Sequence, residues 1–210
     1  MKTVEFYFDF LSPFAYLANE NLGVLPDDIE VVFKPVLLAG LMEPIQFKGQ
    51  GEVPEMRQFL FRHTTWLAAQ AGVEFTVPSV HPFKPLLPLR LCLALGSTRD
   101  VVSTIFRYIW AEGNVLDERK NWLSLAARFG VQNADELISQ TSIKTALREN
   151  TEAAISAGVF GVPTFLVEDE KFWGVDSMGM LCDFIQNPDL FQQAGMLKAS
   201  NLPEGKQRQL

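Results

Sequence analysis

The chain has 210 residues, 48% of them apolar and 20% charged, a composition suited to burying a substantial core as one domain or one domain with an insertion. A formal net charge of −7, with no run of Lys or Arg, speaks against a nucleic-acid surface. No stretch is apolar for long enough to cross a bilayer, and the N-terminus passes directly into a strand-like run with no signal-peptide pattern, so a cytoplasmic protein is expected.

Val4 to Phe10 is rich in β-formers and is predicted to be a strand. Ser12-Pro13 then starts a helix, because Ser is a favoured N-cap and Pro suits the first helical position. Strand, tight turn and helix bring the Ser12 hydroxyl to the positive end of a helix dipole, where an anion is stabilised. Ser12 is therefore either a cap alone or a group facing a bound anion. A second strand is predicted over Ile29–Val36, which makes a right-handed βαβ unit with the first. Residues 40 to 54, punctuated by Gly40, Pro44, Gly49 and Gly51, read as a surface loop.

From Glu55 to Gly158 the pattern is helical, with predicted helices over Glu55–Ala71, Leu86–Leu95, Thr98–Ala111, Glu118–Phe129, Ala134–Ser139 and Ile143–Ala157. Val162–Val167 reads as a strand opened by Pro163, Lys171–Gly174 as a short partner, and Asp176-Ser177 as the start of a last helix. Residues 200–210 read as a disordered tail. Cys92 and Cys182 lie in apolar helical contexts and read as free thiols rather than a disulfide.

The order is thus β-α-β, a helical block, then β-β-α. That is an α/β, thioredoxin-like fold with a large all-helical insertion between its βαβ and ββα halves. Residues 1–40 and 159–195 would form the thioredoxin-like domain and 41–158 the helical insertion. In this fold the first helix starts at the active site and faces the proline of the third strand, typically cis, here Pro163. Redox members carry two cysteines at the helix start, whereas this chain has Ser12-Pro13-Phe14-Ala15, so disulfide exchange by the protein itself is excluded. A serine hydroxyl at that place can donate a hydrogen bond to an anion. If the anion is the sulfur of a bound thiol, the site makes a thiolate.

Three segments carry a closer resemblance: Phe8-Asp9-Phe10-Leu11-Ser12-Pro13-Phe14-Ala15-Tyr16-Leu17, Phe160-Gly161-Val162-Pro163-Thr164-Phe165, and Phe172-Trp173-Gly174-Val175-Asp176. Together they resemble the 2-hydroxychromene-2-carboxylate isomerase family, in the DsbA-like and kappa-class glutathione transferase branch of the thioredoxin superfamily. The resemblance implies glutathione as cofactor, with Ser12 activating its sulfur beside Pro13 and Phe14. It also implies that Val162 pairs with the cysteinyl backbone next to cis-Pro163. Trp173, Gly174, Val175, Asp176 and Ser177 would hold the γ-glutamyl end. The implied reaction is a cis–trans isomerisation of an aromatic conjugated 2-oxo or 2-hydroxy acid, and the implied assembly a homodimer. A kappa-class-like transferase or peroxidase, and a non-catalytic DsbA-like binding module, are the alternatives.

The chain departs from the family at three places. Phe47 stands near an expected Asn, Pro82-Phe83-Lys84 replaces a Pro-x-Asn pattern, and Ser177 replaces an Arg after the late Asp. Lys48 or Lys84 is available to hold a substrate carboxylate, with a solvated side chain as the alternative for each. His63, in a predicted helix, and His81, in a Pro-rich loop, have no Cys, Asp or Glu neighbour at metal-ligand spacing, so no metal is expected. Asp9 reads as a strand-end residue close enough to modulate the site. Phe59, Phe61, Trp66, Phe106 and Trp110 recur at helical spacing and read as core or dimer interface rather than ligand pocket.

Overall fold

A computed structural model describes residues 2–203 and 205. Four strands, β1 (Lys2–Phe8), β2 (Ile29–Pro35), β3 (Thr164–Val167) and β4 (Glu170–Trp173), lie side by side in the order β2-β1-β3-β4. β1 is parallel to β2, with Phe6 opposite Phe33, and antiparallel to β3, with Phe6 opposite Phe165. β3 and β4 form an antiparallel hairpin in which Thr164 faces Trp173. α1 (Pro13–Glu20) crosses from β1 to β2, and α9 (Met178–Gln186) follows β4. This is the thioredoxin-like arrangement expected from the element order.

Between the two halves come α2 (Leu38–Met42), α3 (Pro54–Ala71), α4 (Leu86–Ala94), α5 (Arg99–Trp110), α6 (Arg119–Arg128), α7 (Ala134–Ser139) and α8 (Thr141–Ser156). No strand occurs among the described residues of this block. Most of its helices share one buried cluster with the sheet, while Leu41 of α2 and Ala154 of α8 join a second one with Tyr7 and Val36. Phe106 of α5 lies 4.7 Å from Phe10 and 5.5 Å from Phe8, centroid to centroid, and Phe6 stacks on Phe165 at 4.8 Å. Aromatic side chains at such spacings supply large buried area and specific ring geometry. Cys92 is buried and Cys182 half-buried, both as free thiols, and burial pushes the Cys92 thiol up to about 12.

Three boundaries differ from the sequence pattern. β1 stops at Phe8 rather than Phe10, because Asp9 bends the chain: its carbonyl accepts from Ser12 N–H at 3.0 Å and its Oδ1 from Leu11 N–H at 3.0 Å. Phe10 is apolar because it enters the core, not because it is in the ladder. The loop predicted over 40–54 begins inside α2, whose first turn is satisfied from outside. Leu37 N–H donates to Thr151 Oγ1 at 3.0 Å and Leu38 N–H to Asp9 Oδ2 at 2.9 Å. Lastly, α10 (Ala194–Ser200) follows a 3-10 turn at 188–192, where Phe191 stacks on Phe184 at 5.3 Å. Of the tail predicted as disordered, residues 204 and 206–210 lie outside the described residues.

Candidate active site

Ser12 is the N-cap of α1. Its backbone is extended (φ −89°, ψ 114°), Pro13 takes the first helical position, and its Oγ accepts from Ala15 N–H at 3.1 Å. Ser12 is 6% exposed. Its other neighbour is the carbonyl oxygen of Val162, at 3.5 Å. That is the outer limit of a hydrogen bond, so the O–H proton is not strongly committed. The Val162–Pro163 peptide is cis. Pairing of β3 with β1 and β4 begins at Thr164, which leaves Val162 outside the ladder. Pro163 is tied to the next segment through Gly174 N–H, which donates to its carbonyl at 2.9 Å.

The turn that carries Ser12 is held on every side. Asp9 receives Leu11 and Ser12 N–H, as described. The Phe10 carbonyl accepts from Trp110 Nε1–H at 2.8 Å, and the Leu11 carbonyl lies 3.0 Å from His81 Nε2, which must carry the proton to satisfy it. His81 sits among Phe61, Phe83 and Trp110, and burial lowers its pKa below the ordinary histidine value. Among the described residues its Nδ1 has no partner. Gly51 lies against the same ring, and a Cβ there would come within 2.7 Å of His81 Cε1. Two rings from the helical block thus hold the two carbonyls ahead of Ser12.

Asp9 is fully buried, and burial pushes its carboxyl from the usual 3.8 up to about 6, opposed by the N–H groups of Leu11 and Leu38. The folded pKa is raised, so the stability this group contributes is complete below about pH 4 and is lost as pH rises through about 6. Wild-type unfolding free energy is therefore expected to fall relative to Asp9→Asn between about pH 4 and about pH 7. Buried His81 has the opposite slope but is common to both proteins and cancels. Paired denaturant titrations across that range are the check, and parallel profiles would overturn the expectation.

Beside this turn a cavity of about 790 Å³ opens between α1, α3 and the Val162–Asp176 segment. α1 contributes Phe14 and Leu17, α3 contributes Phe59, His63, Leu67 and Gln70, and the far wall is Val162, Pro163, Trp173, Gly174, Val175 and Asp176. Seven of the residues singled out from sequence therefore share one cavity: Phe14, Val162, Pro163, Trp173, Gly174, Val175 and Asp176. Ser12 and Pro13 are buried and do not line it. Ser177 instead donates from its Oγ to the Gly174 carbonyl at 2.8 Å, closing the 3-10 turn at 175–177 that leads into α9.

Phe47, Lys48 and Lys84 are elsewhere. Phe47 is 52% exposed, Lys48 and Lys84 point into solvent, and none lines the cavity; Lys84 is fixed by its backbone N–H, which donates to Asp117 Oδ1 at 2.9 Å. Of the helical aromatics, Phe106 and Trp110 are core, whereas Phe59 is 68% exposed on the cavity rim. His63 is the residue that spacing for metal ligands did not reveal. The available signal was helical: 59, 63 and 67 are four apart and share one face of α3. Among the described residues no cluster of three or more His, Cys, Asp or Glu is placed to hold a metal, and no helix is long and apolar enough to cross a membrane.

The chain is 30% identical over 190 residues to 2-hydroxychromene-2-carboxylate isomerase of Pseudomonas sp. (strain C18), covering 85% of this chain and 87% of that protein. It is 28% identical over 201 residues to glutathione S-transferase kappa 1 of Rattus norvegicus, covering 86% and 89% respectively. A solved structure of 2-hydroxychromene-2-carboxylate isomerase superposes with a TM-score of 0.78 at 26% identity, over 92% of this chain and 98% of that one. The DSBA-like thioredoxin domain profile matches residues 3–186, and the chain belongs to that family.

Proposed function

We propose that the protein is a glutathione-dependent cis–trans isomerase of an aromatic conjugated 2-oxo or 2-hydroxy acid, of the 2-hydroxychromene-2-carboxylate kind. The observation that carries this reading is the Ser12 hydroxyl, which already accepts from Ala15 N–H at the start of α1 and whose nearest acceptor is 3.5 Å away. A hydroxyl so placed can turn its proton to an anion, and the helix N-terminus adds to the attraction. The isomerase at 30% identity over most of both chains supports the reaction class.

The residues present fit a thiol tripeptide. Val162, outside the sheet ladder, offers main-chain groups to an extended peptide. Asp176 is an exposed carboxylate on the cavity wall that would meet an ammonium group, with the turn at 175–177 beside it. Trp173, 53% exposed, would close that end with Gly174 and Val175, and Ser177 would act through the turn it closes. Ser12, Pro13 and Phe14 would surround the sulfur. Bound glutathione would supply a nucleophilic sulfur that adds to the conjugated bond and leaves again after rotation, with no net redox change. In this scheme Ser12 holds the negative charge, Val162 and Asp176 orient the tripeptide, and the apolar wall of Phe14, Phe59 and Leu67 excludes water from a planar ring.

The similarity to a kappa-class transferase favours a second reading, in which the same thiolate is consumed by an electrophile or peroxide. Calorimetry with reduced glutathione, followed by turnover of 2-hydroxychromene-2-carboxylate with a free-thiol assay, separates the possibilities. Binding, isomerisation and full recovery of thiol are expected. Stoichiometric loss of thiol would transfer the protein to the second reading, and absence of binding would leave a non-catalytic DsbA-like module.

A further inference from the structure

The cavity has a polarity that its two ends do not share. Among the described residues lining it there is no Lys or Arg, and the two ionisable side chains are Asp176 at one end and His63 on α3. Asp176 repels a second anion. An acidic co-substrate placed in this cavity therefore meets no Lys or Arg, and of the side-chain N–H donors that line it, Asn21, Gln50, Gln70, Trp173 and His63, the His63 imidazole is the one packed against both Phe14 and Phe59.

The ring is also held for such a task. It meets Phe14 edge-on at 5.9 Å, leans on Phe59 at 5.4 Å and stacks on Trp66 at 6.4 Å. Among the described residues neither of its nitrogens has a hydrogen-bond partner. Three aromatic contacts orient an imidazole whose polar atoms are unused, and Phe14, two residues beyond Ser12, is one of them. The same helical face adds Leu67 and Gln70 to the cavity wall.

We infer that His63 is the specificity-determining residue for the co-substrate: it binds the acidic oxygen of a planar aromatic acid whose ring lies against Phe14, Phe59 and Leu67. Lys48 and Lys84, which do not line the cavity, take no part. The inference deepens the isomerase reading and rests on it for the identity of the acid.

Binding of chromone-2-carboxylate and of unsubstituted chromone, measured by calorimetry with S-methylglutathione present, tests it on wild type, His63→Phe and His63→Gln. The phenylalanine keeps the aromatic wall and removes the donor, and far-UV dichroism checks that both variants are folded. His63→Phe is expected to weaken the carboxylate at least about tenfold, the scale of a hydrogen bond to a charged group, while chromone changes less than about threefold. His63→Gln restores part of the loss. Equal weakening of both probes, no weakening of either, or a wild type that ignores the carboxylate would overturn the inference. A wild type that binds the carboxylate through His63 but isomerises nothing would overturn the isomerase reading alone.

Discussion

Replacing Ser12 with alanine is expected to lower isomerase turnover by about 10²-fold or more, the usual cost of removing one donor aimed at a developing anion. The hydroxyl caps α1 and, in the proposed mechanism, donates to the thiol sulfur; the substitution removes both. As an N-cap it accepts from Ala15 N–H, so its loss costs about 1 kcal/mol of stability. That cost leaves a folded protein and cannot account for a hundredfold loss at a temperature well below unfolding. Because it is the donor proposed for a bound thiolate, its loss should make the bound thiol ionise at higher pH than in wild type. Thiolate ultraviolet absorbance titrated against pH, alongside steady-state kinetics, reads both effects. A wild-type rate, or an unchanged thiol titration, would refute the role given to Ser12.

Trp110→Ala is expected to have the largest effect on stability, on the order of 3–5 kcal/mol from lost burial and the cavity left behind. Trp110 is fully buried, stacks on Phe75 at 5.7 Å, and binds the Phe10 carbonyl at 2.8 Å. Trp110→Phe separates the two contributions. It keeps much of the ring but orphans a buried carbonyl, for about 1–3 kcal/mol. Because that carbonyl lies two residues ahead of Ser12, the phenylalanine variant should also lose turnover beyond what its stability predicts. Denaturant midpoints with unchanged m-values check the first part, and rates measured far below the transition check the second. A Trp110→Phe protein as stable and as active as wild type would show that the Phe10 contact is incidental.

How much of this was legible in the sequence depended on whether the signal was local. Ser12-Pro13 announced a capped helix start, and Pro163 and Asp176-Ser177 marked the strand and helix that face it, because caps and prolines act through their own backbone. The end of β1 was not legible. Phe10 has the same hydrophobic character as Phe8, and only Asp9, whose carboxylate takes the N–H groups of Leu11 and Leu38 and whose carbonyl takes that of Ser12, shows that the ladder stops there. α2 was missed for the same reason, since its start is satisfied by Thr151, more than a hundred residues away. The cavity wall was half legible. Residues near the helix start and the late turn were found through motif resemblance, whereas His63 entered through the packing of α3, a contact that no short motif encodes. Phe47, Lys48 and Lys84 were placed by counting along a loop, where spacing in sequence says little about direction in space.

β1, an inner strand of the sheet, has one partner from the first forty residues and another that begins at Thr164. During synthesis its second edge must wait until most of the polypeptide has left the ribosome, on the order of ten seconds at ordinary elongation rates. For that interval a phenylalanine-rich ribbon lies open to pairing with any neighbouring nascent chain. Yield in the cell is then governed by how fast ribosomes clear the helical stretch, or by what shields the ribbon meanwhile, and slower codons placed inside that stretch would lower soluble recovery without altering a single residue.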